Sequence, residues 1–257
     1  MNWAGLEPSI LLPALVAGLL VLATHVPLGS QVLERGIVFI DLAVAQVAGL
    51  GVIAADFAGF PDQGWQVQVA AVAAALAGAA LLTWTERRAG SQQEALIGVL
   101  FVLAACAGIL LLAANPHGGE HLKDLLVGQI LWVGPRQILA LAIVTAGLLA
   151  ARAVLGQRLQ GFGFYAQFAV AVTASVQLVG VYLVFSSLII PALAARVAGA
   201  RRPRTVAYLI GGAAYATGLA ASAWLDLPSG AVIVWALALL GAGYVACVRY
   251  GRRAPAR

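Results

Sequence analysis

The chain has 257 residues, 62% of them hydrophobic and only 10% Asp, Glu, Lys or Arg, with a mean hydropathy of +0.96. Soluble domains carry about 45–50% apolar and about 25% charged residues, so this composition excludes a water-soluble enzyme, and intrinsic disorder with it. The net charge of +5, from 15 basic and 10 acidic residues, would point to nucleic acid in a soluble protein. In a polytopic membrane protein it reflects basic loops on the cytoplasmic side, so lipid is the expected surroundings and no nucleic-acid partner is expected.

A span needs roughly 20 apolar residues. The sequence therefore has room for eight or nine spans with short loops and for no soluble domain. The expected fold is an all-α transmembrane helix bundle forming one integral membrane domain over residues 1–257.

Apolar runs occupy 9–27, 36–55, 66–85, 95–114, 125–151, 163–197, 206–225 and 229–248. Before the first run the one charge is Glu7. The basic leader of a secretory signal is missing, and the run is read as a span. His25 closes that run just ahead of Pro27. It is either a hydrogen-bonded interfacial histidine or a group that handles a metal or a proton.

The second run carries Asp41, the one charge that falls clearly inside a span. An ionisable group in hydrocarbon is costly and marks a functional site by default. Gln46 lies half a turn away from the face of Asp41, so both could line an aqueous pathway beside this helix. The alternative places Asp41 near the interface, capping the helix or pairing with Arg35. The two cysteines, Cys106 and Cys247, fall in apolar runs and are read as small buried hydrophobes rather than a redox pair.

Between the fourth and fifth runs lies Pro116-His117-Gly118-Gly119-Glu120-His121-Leu122-Lys123-Asp124. His117, Glu120 and His121 are ligand types for divalent transition metals. Their spacing is also that of an H-x-x-E-H zinc protease, but two glycines disfavour the helix such a site needs and no soluble domain surrounds it. The loop is either a transient metal site or a polar turn whose acids sit at the start of the next helix.

The run 163–197 is too long for one ordinary span and suggests a tight hairpin or a re-entrant piece. Loop charges settle the direction. Thirteen of the 15 basic residues alternate onto one side, leaving Lys123 and Arg136 on the other. The Arg-rich side is then cytoplasmic, the C-terminus with it, and an odd count of nine crossings fits best. The only Lys follows Leu122, so there is no Walker A sequence, which needs Gly-Lys followed by Ser or Thr.

Five stretches resemble the permease subunits of the zinc/manganese/iron-type ABC transporter family. They are Pro27-Leu28-Gly29-Ser30; the span with Asp41 and Gln46, ending Gly49-Leu50-Gly51; Glu94-Ala95-Leu96-Ile97-Gly98; Ser187-Leu188-Ile189-Ile190-Pro191-Ala192-Leu193-Ala194-Ala195-Arg196; and Asp226-Leu227-Pro228-Ser229-Gly230. Their order covers nearly the whole chain. The resemblance implies a pathway between two copies of this subunit, each docked on a cytoplasmic ATP-binding subunit, with an extracellular or periplasmic binding protein delivering the metal. It implies a bacterial inner membrane, no resident cofactor and no covalent chemistry. The transported ion would be zinc first, then manganese or iron.

The family usually has an Asp and, four residues on, a His in the second span, both implicated in the metal pathway. Aligned on Gly51, the His position here is Gln46, and Asp41 stands one residue ahead of the usual Asp. The segment Gly156–Gly161 is shorter than the family's usual loop there, which engages the ATPase. The rival reading of the residues is a secondary transporter driven by an ion gradient, which would need more intramembrane carboxylates than Asp41. A membrane scaffold without transport is the third.

Overall fold

The computed structural model describes residues 7–60, 65–89, 92–112, 126, 128–156 and 160–253. Among them are nine α-helices: α1 Pro8–Arg35, α2 Ile40–Phe57, α3 Trp65–Ala89, α4 Gln93–Leu112, α5 Pro135–Leu155, α6 Phe162–Val179, α7 Val181–Val197, α8 Pro203–Leu225 and α9 Ser229–Arg253. A short 3-10 turn, Ile130–Trp132, precedes α5. No strand occurs among the described residues. Eight of the helices are long and apolar enough to cross a membrane. The ninth, α7, has 17 residues and is about 26 Å long, near the lower limit for a span.

The bundle has two lobes. In one, α2 packs between α3 and α4; in the other, α1 packs on α7, α8 and α5, and α9 closes against α7 and α8. Helix α6 touches both, with α3 and α2 on one side and α1, α5 and α7 on the other. Small residues permit the closest approaches. A methyl group at Gly29 would collide with the Leu188 carbonyl oxygen of α7.

The long apolar run 163–197 is divided at Gly180, whose φ of 79° and ψ of 159° end α6 and start α7. The two helices then run in opposite senses. The start of α6 meets the end of α1, where the Arg35 guanidinium lies 4.1 Å from the Phe164 ring. The end of α6 meets the start of α3, where Gln68 Nε2 donates to Gln177 Oε1 at 2.5 Å. The end of α7 returns to the end of α1, with Arg196 Nη1 donating to the Leu33 carbonyl at 2.6 Å. This is the hairpin that the length of the run suggested.

Helix ends rich in arginine therefore share one face of the bundle. Trp65, Trp132 and Trp224, all exposed, mark helix ends or turns at the opposite face, as interfacial aromatics do.

Three expectations are corrected. Pro27 does not end the first span, because α1 continues to Arg35. Proline lacks an N–H and leaves the carbonyl of Ala23 without its helical donor. The Tyr208 hydroxyl of α8 donates to that carbonyl at 3.2 Å, so the helix survives the proline. Second, the run 125–151 is not one span from its start. Residues 128–134 are non-helical or 3-10, and the helix begins at Pro135, where a proline is tolerated as the first residue. Third, Cys106 and Cys247 are exposed on outward helix faces, not buried. In a membrane protein an outward face is apolar too, so hydropathy alone does not separate the two positions.

Candidate functional site

Helix α2 opens after a tight turn. Gly36 takes the left-handed conformation, φ 70°, that ends α1, and Ile40 starts the next helix. Asp41 is the second residue of α2, in its first turn. The helix starts later than the apolar run does, so Asp41 sits closer to the Arg-rich face than the hydropathy pattern implied. It is nonetheless 0% exposed, and neither carboxylate oxygen has a hydrogen-bond partner among the described residues. Arg35 does not pair with it. That guanidinium is 3.5 Å from Glu86 Oε1 instead, which removes the ion-pair alternative for Asp41.

On α2 the contacts with neighbours divide by angle. Gly51 faces Ala70 and Ala74 of α3, and Ile53 faces Gly108 of α4. At 100° per residue Asp41 falls between these two directions, on the side α2 turns towards α6. Gln46 falls on the α4 side. It lines a cavity of about 20 Å³, room for roughly one water. Small residues of α2 and α4, among them Ala45, Gly49, Ala104 and Gly108, form part of the wall, and Leu126 and Val181 contribute to it. Asp41 is not part of that wall. The structure therefore puts the two predicted residues on one helix but on different sides of it. His117, Glu120 and His121 lie outside the described residues.

His25 is also fully buried, ten residues short of the end of α1 rather than at an interface. Its Nδ1 lies 2.8 Å from the Val21 carbonyl, which can only accept, so Nδ1 carries the proton. Thr24 Oγ1 is 3.0 Å from the same nitrogen, and Nε2 has no partner.

A polar network around the start of α2 was not visible in the sequence. The Phe39 N–H donates to Glu94 Oε1 of α4 at 3.2 Å. Gln93 Nε2 donates to the Leu82 carbonyl at 3.0 Å and to the Tyr165 hydroxyl at 3.4 Å. With the Arg35–Glu86 pair, these contacts tie the ends of α1 and α3 to the starts of α2, α4 and α6. Glu94 was noticed as part of a stretch, but nothing local tells that it reaches a residue 55 positions away. Ser187 and Tyr215, hydroxyls 2.9 Å apart, join α7 to α8 in the same hidden way.

Alternating apolar helices and arginines gathered at one face define a polytopic membrane protein. The chain belongs to the ABC 3 transport family, whose model matches residues 7–161 and 149–247. Its fold is similar to that of a chain in PsaBC from Streptococcus pneumoniae in complex with Fab, at a TM-score of 0.72 and 18% identity, over 92% of this chain and 90% of that one. It is also similar to a protein assigned to the metal-chelate type of ABC transporter and solved in an inward-facing conformation. There the TM-score is 0.69 at 18% identity, over 93% of this chain and 85% of that one. At such identity the likeness is one of fold. Family membership makes the chain part of an ABC-type transport system.

Proposed function

We propose that this protein is the membrane-spanning subunit of an ABC-type importer of divalent transition metal ions. The observation that carries the proposal is Asp41, a fully buried carboxylate with two unpartnered oxygens in a chain of this family. A charge so placed is expensive unless a cation meets it, and a passing metal ion is such a cation. The resemblance puts zinc first. Asp41 and Gln46 offer oxygen donors, which suit manganese and iron as well, so those ions belong in the comparison.

The chain would work as a homodimer in a bacterial inner membrane, with its Arg-rich face and C-terminus cytoplasmic. A separate ATP-binding subunit would dock on that face, and an extracellular or periplasmic metal-binding protein would load the other. The subunit itself would perform no covalent chemistry and carry no resident cofactor. Its part is alternating access, driven by hydrolysis in the partner.

The test is metal uptake by the complete transporter in proteoliposomes across zinc, manganese and iron. Asp41→Asn keeps the shape of the side chain and removes its charge. It should lower uptake at limiting metal at least tenfold while leaving the complex assembled. Unchanged uptake would return Asp41 to a structural role.

A further inference from the structure

Asp41 is separated from the Arg-rich face by very little protein. Only the turn 36–39 and Ile40 precede it in α2, yet it is 0% exposed. Four helices hold the segment 33–39, which leads into Asp41 from that face. Glu86 of α3 pairs with Arg35 at 3.5 Å, and Phe164 of α6 lies under the same guanidinium at 4.1 Å. Glu94 of α4 accepts the Phe39 N–H at 3.2 Å, and Arg196 of α7 binds the Leu33 carbonyl at 2.6 Å.

The ion pair among these contacts is weak by itself. The Arg35 and Glu86 side chains are 28% and 34% exposed, and ion pairs so wetted contribute little. The segment also has a hinge. Gly36, the left-handed cap of α1, is unpacked on the side where a Cβ would sit. Hinges of this kind are a few residues that absorb a backbone change while the helices on either side stay intact.

We propose that Arg35, Glu86, Glu94 and Arg196 form a gate at the Arg-rich end, which seals Asp41 when closed on the turn 33–39 and opens it to that face when released. The proposal rests on the reading of Asp41 as a pathway residue. It adds which residues control access to that carboxylate and from which face. Because Arg196 lies in the last turn of α7, a movement of the following loop, residues 198–202, would reach the gate through a single hydrogen bond.

The test uses the full chain in sealed vesicles of both orientations, with Cys106→Ser and Cys247→Ser to remove the exposed thiols. Ala45→Cys places a reporter one turn beyond Asp41 on its face, at a position only 2% exposed. A charged, membrane-impermeant thiol reagent should label it slowly. Glu86→Gln with Glu94→Gln should raise the labelling rate at least tenfold, and only from the Arg-rich face. The exchange Arg35→Glu with Glu86→Arg, in place of the glutamine pair, should bring it back towards the slow rate. No acceleration, or equal acceleration from both faces, would overturn the gate.

A second arm is independent of how the glutamine variants fold. Arg35→Cys with Glu86→Cys, joined by a short reducible thiol cross-linker, should cut metal uptake by the whole transporter at least tenfold, and reduction should restore it. Full uptake with the link in place would also overturn the gate. Labelling requires no transport, so a failed metal assignment, read from Asp41→Asn, is distinguishable from a failed gate.

Discussion

The two ends of this bundle are closed by different means. At the Arg-rich end the closure is made by side chains: a part-exposed ion pair, a carboxylate on a backbone N–H and an arginine on a carbonyl. At the other end, among the described residues, a backbone seam stands beside the Gln68–Gln177 side-chain bond. Gly128, at φ 68°, packs on the main chain of Val179 and Gly180, and the next residue, Gln129, donates its N–H to the Leu178 carbonyl at 3.2 Å. Irregular backbone at membrane depth survives only where other protein satisfies it, and here two irregular segments satisfy each other. The contrast teaches where motion is cheap. A part-exposed ion pair parts at little cost, whereas a backbone seam has to be taken apart as a unit.

The sharpest way to break the contrast is Gly128→Ala. The added methyl would meet the Val179 carbonyl carbon and the Gly180 nitrogen, and the residue would be held at positive φ. Overpacking and left-handed strain together should cost about 2–4 kcal/mol, seen as a lower unfolding temperature in detergent. By comparison, Tyr208→Phe removes one donor from the Ala23 carbonyl beside Pro27. Interhelical hydrogen bonds in membranes average about 0.6 kcal/mol, so the same measurement should show a small drop. At the Arg-rich end, Glu86→Gln should move stability by less than about 1 kcal/mol. A loss like that of Gly128→Ala would erase the distinction between the ends.

The loop with His117, Glu120 and His121 offers the finest discrimination. If these side chains bind the incoming ion, His117→Ala with His121→Ala should lower uptake at low metal and leave it intact at saturating metal. Neutral imidazole binds metal and imidazolium does not, so the parental advantage should fade as pH falls below about 6.5. Normal uptake by the double variant at the lowest usable metal would leave the loop as a helix start alone.

Much of the fold was legible because the bilayer imposes it. Span length and the sidedness of arginine are properties of local composition, and they located the helices and the hairpin in 163–197. The failures were also physical. Pro27 seemed to close a span because its missing donor was the visible fact, while the compensating Tyr208 lies 185 residues away from Ala23. The start of α5 was misplaced because a non-helical segment can be as apolar as a helix. Asp41 was legible as a charge in an apolar run, and its isolation was not. That isolation depends on Arg35 choosing Glu86, a partner that no spacing on α2 reveals. Glu94 and Arg196 were invisible as gate residues for the same reason.

The shortness of α7 has a further consequence. At 17 residues it spans about 26 Å, while the 28 residues of α1 span about 42 Å, against a hydrocarbon core of about 30 Å. Lipid meets α7 at few places, among them Tyr182, Leu193 and Val197, because neighbouring helices cover the rest. The mismatch of α7 is thus absorbed by protein, whereas a helix as long as α1 can meet it by tilting. A thicker or thinner bilayer will act on the inclination of α1. Because α1 ends at Arg35, acyl-chain length becomes a lever on the turn that leads into α2.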